Sequence, residues 1–331
     1  MNIELLDCTL RDGGYVNNWE FGHAAILSIF NNLVLAKIEN IEVGFLNNSE
    51  KHSFDRTINP SVDSYNKIFE NINKNHSKVF GMIKYGTFDI ASIEPHDERS
   101  FIDGIRVIFR KQDIVPALEY CLQIKNKGYF LSINPVSIHT YNETELYQLI
   151  ELVNKINPQT LSIVDTCGLL DRDTVTNYFS IINKNLLPTI ALGYHSHNNF
   201  QLAFSNALDL LDLKSNRTLI LDGSLYGMGR CAGNACLELL VMYLNKKYSK
   251  NYDINSILEV IDKEIIKIRQ KYEWGYSLSS FVAALNDCHP NYAKFLMKNN
   301  NLSAQETNKI LQNIDINKKN IFDENYVNGL L

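Results

Sequence analysis

The segment GYHSHNN at 193–199 closes a short apolar run. Residues two apart on a strand share a face, so His195 and His197 would point the same way. Two adjacent imidazoles suit a divalent metal. An HxH pair is also compatible with two polar residues that end a strand against water. The segment LLDCTLRDGGY at 5–15 places Arg11 and Asp12 directly after another apolar run. Gly13 and Gly14 permit close backbone approach there. One carboxylate with two imidazoles would leave coordination positions open to a substrate. The plainer alternative makes Asp12 a loop acid paired with Arg11. Glu42 lies inside the apolar run IEVGF. A buried carboxylate is costly without a partner, and Arg11 is the natural one. A guanidinium held in this way is oriented for a developing oxyanion, or forms a purely structural ion pair.

The run LDGSLYGMGRCAGNACLELL at 221–240 carries Gly223, Gly227, Gly229 and Gly233 ahead of a helical pattern. Such a loop can cradle phosphate, but its spacing is neither a P-loop nor a dinucleotide fingerprint. Cys231 reads as a reactive thiol or, more plainly, as a small residue in a tight loop.

The elements that must position these residues alternate. Strands are predicted near 3–7, 41–46, 79–83, 105–109, 129–134, 161–165, 190–195 and 218–222. Several are continuous apolar runs, as expected for parallel strands covered on both faces. Their starts recur about every 31 residues, close to one βαβ unit of roughly 30. Helical patterns fill the gaps at 113–127, 143–156, 173–185, 200–212 and 235–247. Eight alternations predict a (β/α)8 TIM barrel, with a doubly wound open sheet as the alternative. Barrel chemistry takes place at the C-terminal ends of the strands, where Asp12, His195 and His197 fall. After residue 250 the strand signals stop, and segments 254–272, 278–287, 290–298 and 303–314 read as helices. The expected organisation is a catalytic barrel over 1–250 and a helical cap or oligomerisation region over 251–331. The final stretch, 316–331, is polar and reads as partly disordered.

Composition narrows the class. Of 331 residues, 45% are hydrophobic and 21% charged, an ordinary globular balance. The net charge of −5 gives no basic excess to favour nucleic acid or an anionic membrane. No run approaches the length of a membrane span. The N-terminus lacks the pattern of a signal peptide, and six cysteines without a CxxC pair read as reduced thiols of the cytoplasm.

Taken as a set, DCTLRDGG, IEVGF, DTCG, HSHNN and GMGRCAGNACLE occur in order at the strand ends and resemble the DRE-TIM metallolyase superfamily. Within it, the chain is most similar to the aldolase catalytic domain proteins related to 4-hydroxy-2-oxovalerate aldolase. The resemblance covers roughly 3–247 and implies that Asp12, His195 and His197 bind the metal. Asn234 matches an amide that ligates metal in the lyase branch. Arg11 would stabilise the enolate oxygen with Glu42 as its anchor, and Thr166 matches a hydroxyl that binds the substrate carboxylate. The oxovalerate aldolases carry a histidine base two residues after the glycine of the LRDG run; here that place is Tyr15. A tyrosine is a far weaker base, with a reference pKa of about 10. Either Tyr15 works with a shifted pKa, or it lines the pocket and another group moves the proton. The segment WGYSLSSFVAALNDCHPNYA at 274–293 resembles the aldolase tail, where a tyrosine reaches the site. Tyr276 is the candidate, with Tyr292 and His289 behind it.

The implied reaction is aldol cleavage or formation between a pyruvate-like 2-oxo acid enolate and an aldehyde, with Mn²⁺ or Mg²⁺ as cofactor and Zn²⁺ as an alternative. A Claisen-type acyltransferase or CoA-thioester lyase of the same superfamily is the competing enzyme. A non-catalytic barrel that binds a metabolite or partner is the competing class. The expected partners are the small-molecule 2-oxo acid and aldehyde, with a homodimer plausible through the tail. The aldehyde dehydrogenase that pairs with oxovalerate aldolases is not assumed.

Overall fold

The computed structural model describes residues 2–213, 215–319 and 321–331. Its eight principal strands are β1 (Ile3–Asp7), β2 (Asn40–Leu46), β3 (Lys78–Lys84), β4 (Gly104–Phe109), β5 (Phe130–Pro135), β6 (Thr160–Asp165), β7 (Ala191–Ser196) and β8 (Leu219–Gly223). Each lies parallel to the next. The ring closes because β1 pairs with β2 through Leu6 and Asn40 and with β8 along its whole length, Ile3 opposite Leu219 to Asp7 opposite Gly223. This is a closed (β/α)8 barrel, not an open sheet. Strands β2 and β6 are buried at every residue, which is why they read as unbroken apolar runs.

Two features bend the ring around its mouth. A short strand, Ile58–Asn59, pairs with the end of β2. The register of β2 against β3 slips between Glu42 and Gly44, and bulges of this kind re-aim side chains next to active sites. Gly44 has φ 149, and a Cβ there would stand 1.9 Å from the Thr57 carbonyl oxygen. Only glycine fits this close approach.

The helices predicted at 113–127, 143–156 and 173–185 form as Ile114–Asn126, Glu143–Ile156 and Arg172–Asn185. Asn142 and Asp171 cap the last two. The helix expected from 200 starts instead at Ala203. Gln201 has φ 61, and Asn198 Oδ1 accepts from the Ala203 N–H, so the chain turns before the helix begins.

After the barrel, Ile254–Arg269 form one helix with a π segment at Ile261–Ile265. Its Ile257, Val260 and Ile265, with Trp274, join the principal core. A second apolar cluster gathers Val282, Cys288, Tyr292, Leu296, Leu311, Ile314 and Val327. The expectation of partial disorder over 316–331 is corrected here. Residues Glu324–Asn328 are helical, and Val327 is fully buried. Phe322, before this helix, Tyr326 within it and Leu330 after it pack on the second cluster. The Tyr292 hydroxyl donates to the Ile321 carbonyl at 2.8 Å. No helix among the described residues is long and apolar enough to cross a membrane.

Candidate metal centre

Asp12, His195 and His197 are buried and bring one ligand atom each to within 4.8 Å of the others. His195 is the penultimate residue of β7, and His197 is the first residue beyond the strand. Their rings are 5.2 Å apart, nearly perpendicular. Asp12 arrives from the turn after β1, tied back by its N–H to the Cys8 carbonyl at 2.7 Å. The glycine-rich run after β8 comes over the same spot through an isolated bridge between His197 and Asn234. Gly229 makes that approach feasible: a Cβ there would lie 2.2 Å from Asn234 Nδ2 and 2.6 Å from Asp12 Oδ2.

The contacts behind the imidazoles fix their tautomers. His195 Nδ1 faces Asp222 Oδ2 at 3.0 Å, and His197 Nδ1 faces the Asp165 carbonyl oxygen at 3.1 Å. A carbonyl or an ionised carboxylate only accepts, so each Nδ1 carries the hydrogen and each Nε2 offers a lone pair to the cavity. His197 Nε2 has no hydrogen-bond partner, and Asn234 Oδ1 is buried without one. Burial alone would raise the Asp12 pKa. Arg11 is the strongest opposing influence, and the carboxyl is held well below its usual range. Burial likewise lowers His195, which favours the neutral ring. An ionised carboxylate, two neutral imidazoles and an unpartnered amide oxygen are the donor set a divalent metal takes.

A chain of ion pairs frames this set. Arg11 Nη1 meets Asp12 Oδ1 at 2.5 Å, and its Nε meets Glu42 Oε2 at 2.7 Å. Arg106 of β4 continues from Glu42 at 3.1 Å to Asp222 at 2.5 Å, which in turn holds His195. All five of the linked acids and arginines are buried. The Trp19 indole N–H donates to the Arg11 carbonyl at 2.9 Å and pins that turn. Glu42 therefore sits against Arg11, where the sequence reading put it, and Arg106 shares it.

The cavity encloses about 420 Å³, counting its open mouth, and Arg11, Tyr15, Asn134, Thr166 and Arg230 line it with the imidazoles. The Thr166 hydroxyl accepts from the Ser137 N–H at 2.7 Å. Tyr15 is 42% exposed and packs edge-on against Trp19 at 4.7 Å. Its surroundings at the cavity wall push the phenol above its usual value, despite the nearby Arg230 and Arg11. Burial pushes the Cys231 thiol up to about 11, so it is protonated at neutral pH. The structure does not bring Tyr276 to the cavity. It stands 58% exposed near Phe281, because the chain turns outward at Gly275, φ 102. Tyr292 is buried in the second apolar cluster. His289 reaches the rim, where it contacts Arg230.

Arg106, Asp222, Asn134 and Arg230 escaped the sequence reading. The first two carried the signal that exposed Glu42, a charge inside an apolar strand run, in IRVIF and LILDG.

A closed barrel with a carboxylate, two imidazoles and a pinned arginine at the C-terminal strand ends defines a metal-dependent lyase class. The chain belongs to the HMGL-like family, whose model matches residues 2–263. These are DRE-TIM metallolyases, enzymes that act on carbon–carbon bonds with a divalent metal. An oxaloacetate decarboxylase of Mycobacterium tuberculosis is 24% identical over 73% of this chain and 70% of its own. A 4-hydroxy-2-oxovalerate aldolase of Geobacillus thermodenitrificans is 23% identical over 82% of this chain and 78% of its own. Among solved structures, the N-terminal domain of a Bacteroides vulgatus protein provisionally named an aldolase superposes with a TM-score of 0.74. It is 25% identical over 90% of this chain and 98% of that one.

Proposed function

We propose that the chain is a divalent-metal-dependent aldolase that forms or cleaves a carbon–carbon bond between a pyruvate-like 2-oxo acid enolate and an aldehyde. The observation that carries this reading is Arg11, clamped between Glu42 and Asp12 beside the two imidazoles. Asp12, His195, His197 and Asn234 would hold the ion, Mn²⁺ or Mg²⁺ by donor type or Zn²⁺. When bound, it supplies Lewis-acid charge for a developing enolate.

The chain's own groups supply the rest. Arg11 cannot rotate away from Glu42, so its guanidinium is preorganised for the enolate oxygen. Thr166 offers its hydroxyl to the substrate carboxylate. In cleavage, the 4-hydroxyl loses its proton to a base and the C3–C4 electron pair moves into the enolate. The aldehyde departs, and C3 then takes a proton. Tyr15, with its phenol held protonated, shapes the pocket and offers a donor rather than a base.

The similarity to the decarboxylase favours a second reading in which the departing group is carbon dioxide. Both cleavages leave the same enolate, and both are tested together. With Mn²⁺, the protein should exchange the methyl protons of pyruvate with D₂O, seen as a fading methyl signal by NMR. Release of carbon dioxide from oxaloacetate above the metal-only rate would select the decarboxylase. No exchange with pyruvate or its longer homologues would remove both and raise the CoA-dependent alternative.

A further inference from the structure

One cation in the cavity stands outside the chain of ion pairs. Arg230 lies on the glycine-rich run after β8 and lines the mouth. Its guanidinium is 5.7 Å from the centre of the Tyr15 ring and donates to His289 Nε2. Among the described residues no carboxylate pairs with it, whereas Arg11 and Arg106 each have two acidic partners. A guanidinium can only donate, so His289 accepts at Nε2 as the neutral ring with its hydrogen on Nδ1, and the Asn291 N–H, 3.2 Å from Nδ1, cannot donate to it at the same time. Burial holds the ring neutral, with its pKa lowered to about 3, and the nearby Arg230 and Arg110 reinforce this. Arg110, just past β4, adds positive charge to the same rim. The protein as a whole carries −5, so this local basic rim is not a general surface property.

Asp12, Glu42 and Asp222 neutralise Arg11 and Arg106 through direct ion pairs, whereas the Arg230 guanidinium at the mouth meets no carboxylate side chain among the described residues. A half-buried cation facing a cavity without a counter-charge gains most from an anion brought by the ligand.

We propose that Arg230 selects substrates bearing a second anionic group, a carboxylate or a phosphate, on the portion that departs as the aldehyde. His289 of the C-terminal helices is the positioning residue that aims it. The inference rests on the 2-oxo acid reading above and narrows it to dianionic substrates.

Binding to the Mn²⁺-loaded protein by titration calorimetry tests this with ligands matched in chain length. The pairs are 2-oxoglutarate against 2-oxovalerate, 2-oxoadipate against 2-oxohexanoate, and phosphohydroxypyruvate against hydroxypyruvate. In at least one pair the anionic member should bind about 10- to 100-fold tighter, the size of one charge-assisted hydrogen bond. The pair that responds tells carboxylate from phosphate. Arg230→Met should bring that ratio toward one, and Arg230→Lys should keep part of it. His289→Ala should lower the ratio and His289→Gln, which retains an acceptor, should restore it. A failed rescue would leave Arg230 its role and remove that of His289. Ratios within about twofold in every wild-type pair, or an unchanged ratio in Arg230→Met with metal content intact, would overturn the proposal. Binding of none of the six ligands, with no proton exchange into pyruvate, removes the 2-oxo acid reading and this inference with it.

Discussion

His195 and Asp222 form the hinge of the site: the 3.0 Å contact between Nδ1 and Oδ2 determines which imidazole nitrogen faces the cavity. Asp222 is itself held by Arg106 at 2.5 Å, so the orientation of one ligand depends on a residue three strands away around the barrel. Asp222→Asn should weaken divalent-metal affinity about 10- to 100-fold, because the amide can present the wrong group to the ring. Titration of Mn²⁺ binding by its paramagnetic relaxation would measure it.

Removing a ligand outright should do more. Purified protein should take up about one divalent ion per chain, and Asp12→Ala or His195→Ala should abolish most of that uptake. Unchanged metal content in both variants would sink the assignment. Activity should vanish with chelator and return with Mn²⁺ or Mg²⁺.

Arg11→Lys exchanges a planar fork for a point charge and breaks the geometry set by Glu42. Losing about 3 kcal/mol of oxyanion stabilisation corresponds to roughly a hundredfold slower proton exchange into pyruvate. A rate within a fewfold of wild type would mean that Arg11 is structural only.

Tyr15→Phe discriminates between a base and a pocket wall. The phenol is held above its ordinary value, so at neutral pH it is protonated and cannot accept a proton. The variant should therefore raise KM more than it lowers kcat. A loss of several orders of magnitude in kcat, with metal content and pyruvate binding unchanged, would make Tyr15 the base.

Glu42 bears on stability as well as chemistry. It accepts from both Arg11 and Arg106 in a buried setting. Glu42→Leu leaves two buried guanidinium groups short of a partner and should cost about 3–5 kcal/mol, read from the urea unfolding midpoint.

Asp7 gives a pH dependence. It is buried at the end of β1, and burial pushes its pKa to about 7 in spite of hydrogen bonds from Thr9. The folded state then binds a proton that the unfolded chain releases near pH 4. This contribution to stability is present below that value and declines as pH rises towards 7, at up to about 1.4 kcal/mol per unit. Asp7→Asn should remove the decline, so its stability relative to wild type should improve between pH 5 and pH 8.

The barrel was legible because its strands are buried on both faces and recur at a regular interval. The site was legible where chemistry broke that pattern locally: HSH, the RD pair and Glu42. What escaped was assembled across the ring. Arg106 and Asp222 meet over 116 positions of sequence, and nothing local to either names the other. Tyr276 was misplaced for a related reason. Helical spacing predicts that a tail forms, but not which of its residues faces the mouth, and the turn at Gly275 sends Tyr276 outward while His289 comes in. The C-terminal stretch read as partly disordered because its apolar side chains are scattered among polar ones, and Val327, Phe322, Tyr326 and Leu330 find a place only against a cluster built by other segments.

The three ligands come from opposite ends of the barrel sequence, Asp12 just after the first strand and the imidazoles at the seventh, with Asn234 arriving after the eighth. β1 finds β8 only when the ring is complete. A nascent chain emerging from the ribosome therefore has no place for the ion until well over two hundred residues have been made. Metal capture would come at the end of folding rather than at its start. A truncated or stalled product would remain metal-free, and ion uptake would serve as a stamp that marks a finished molecule.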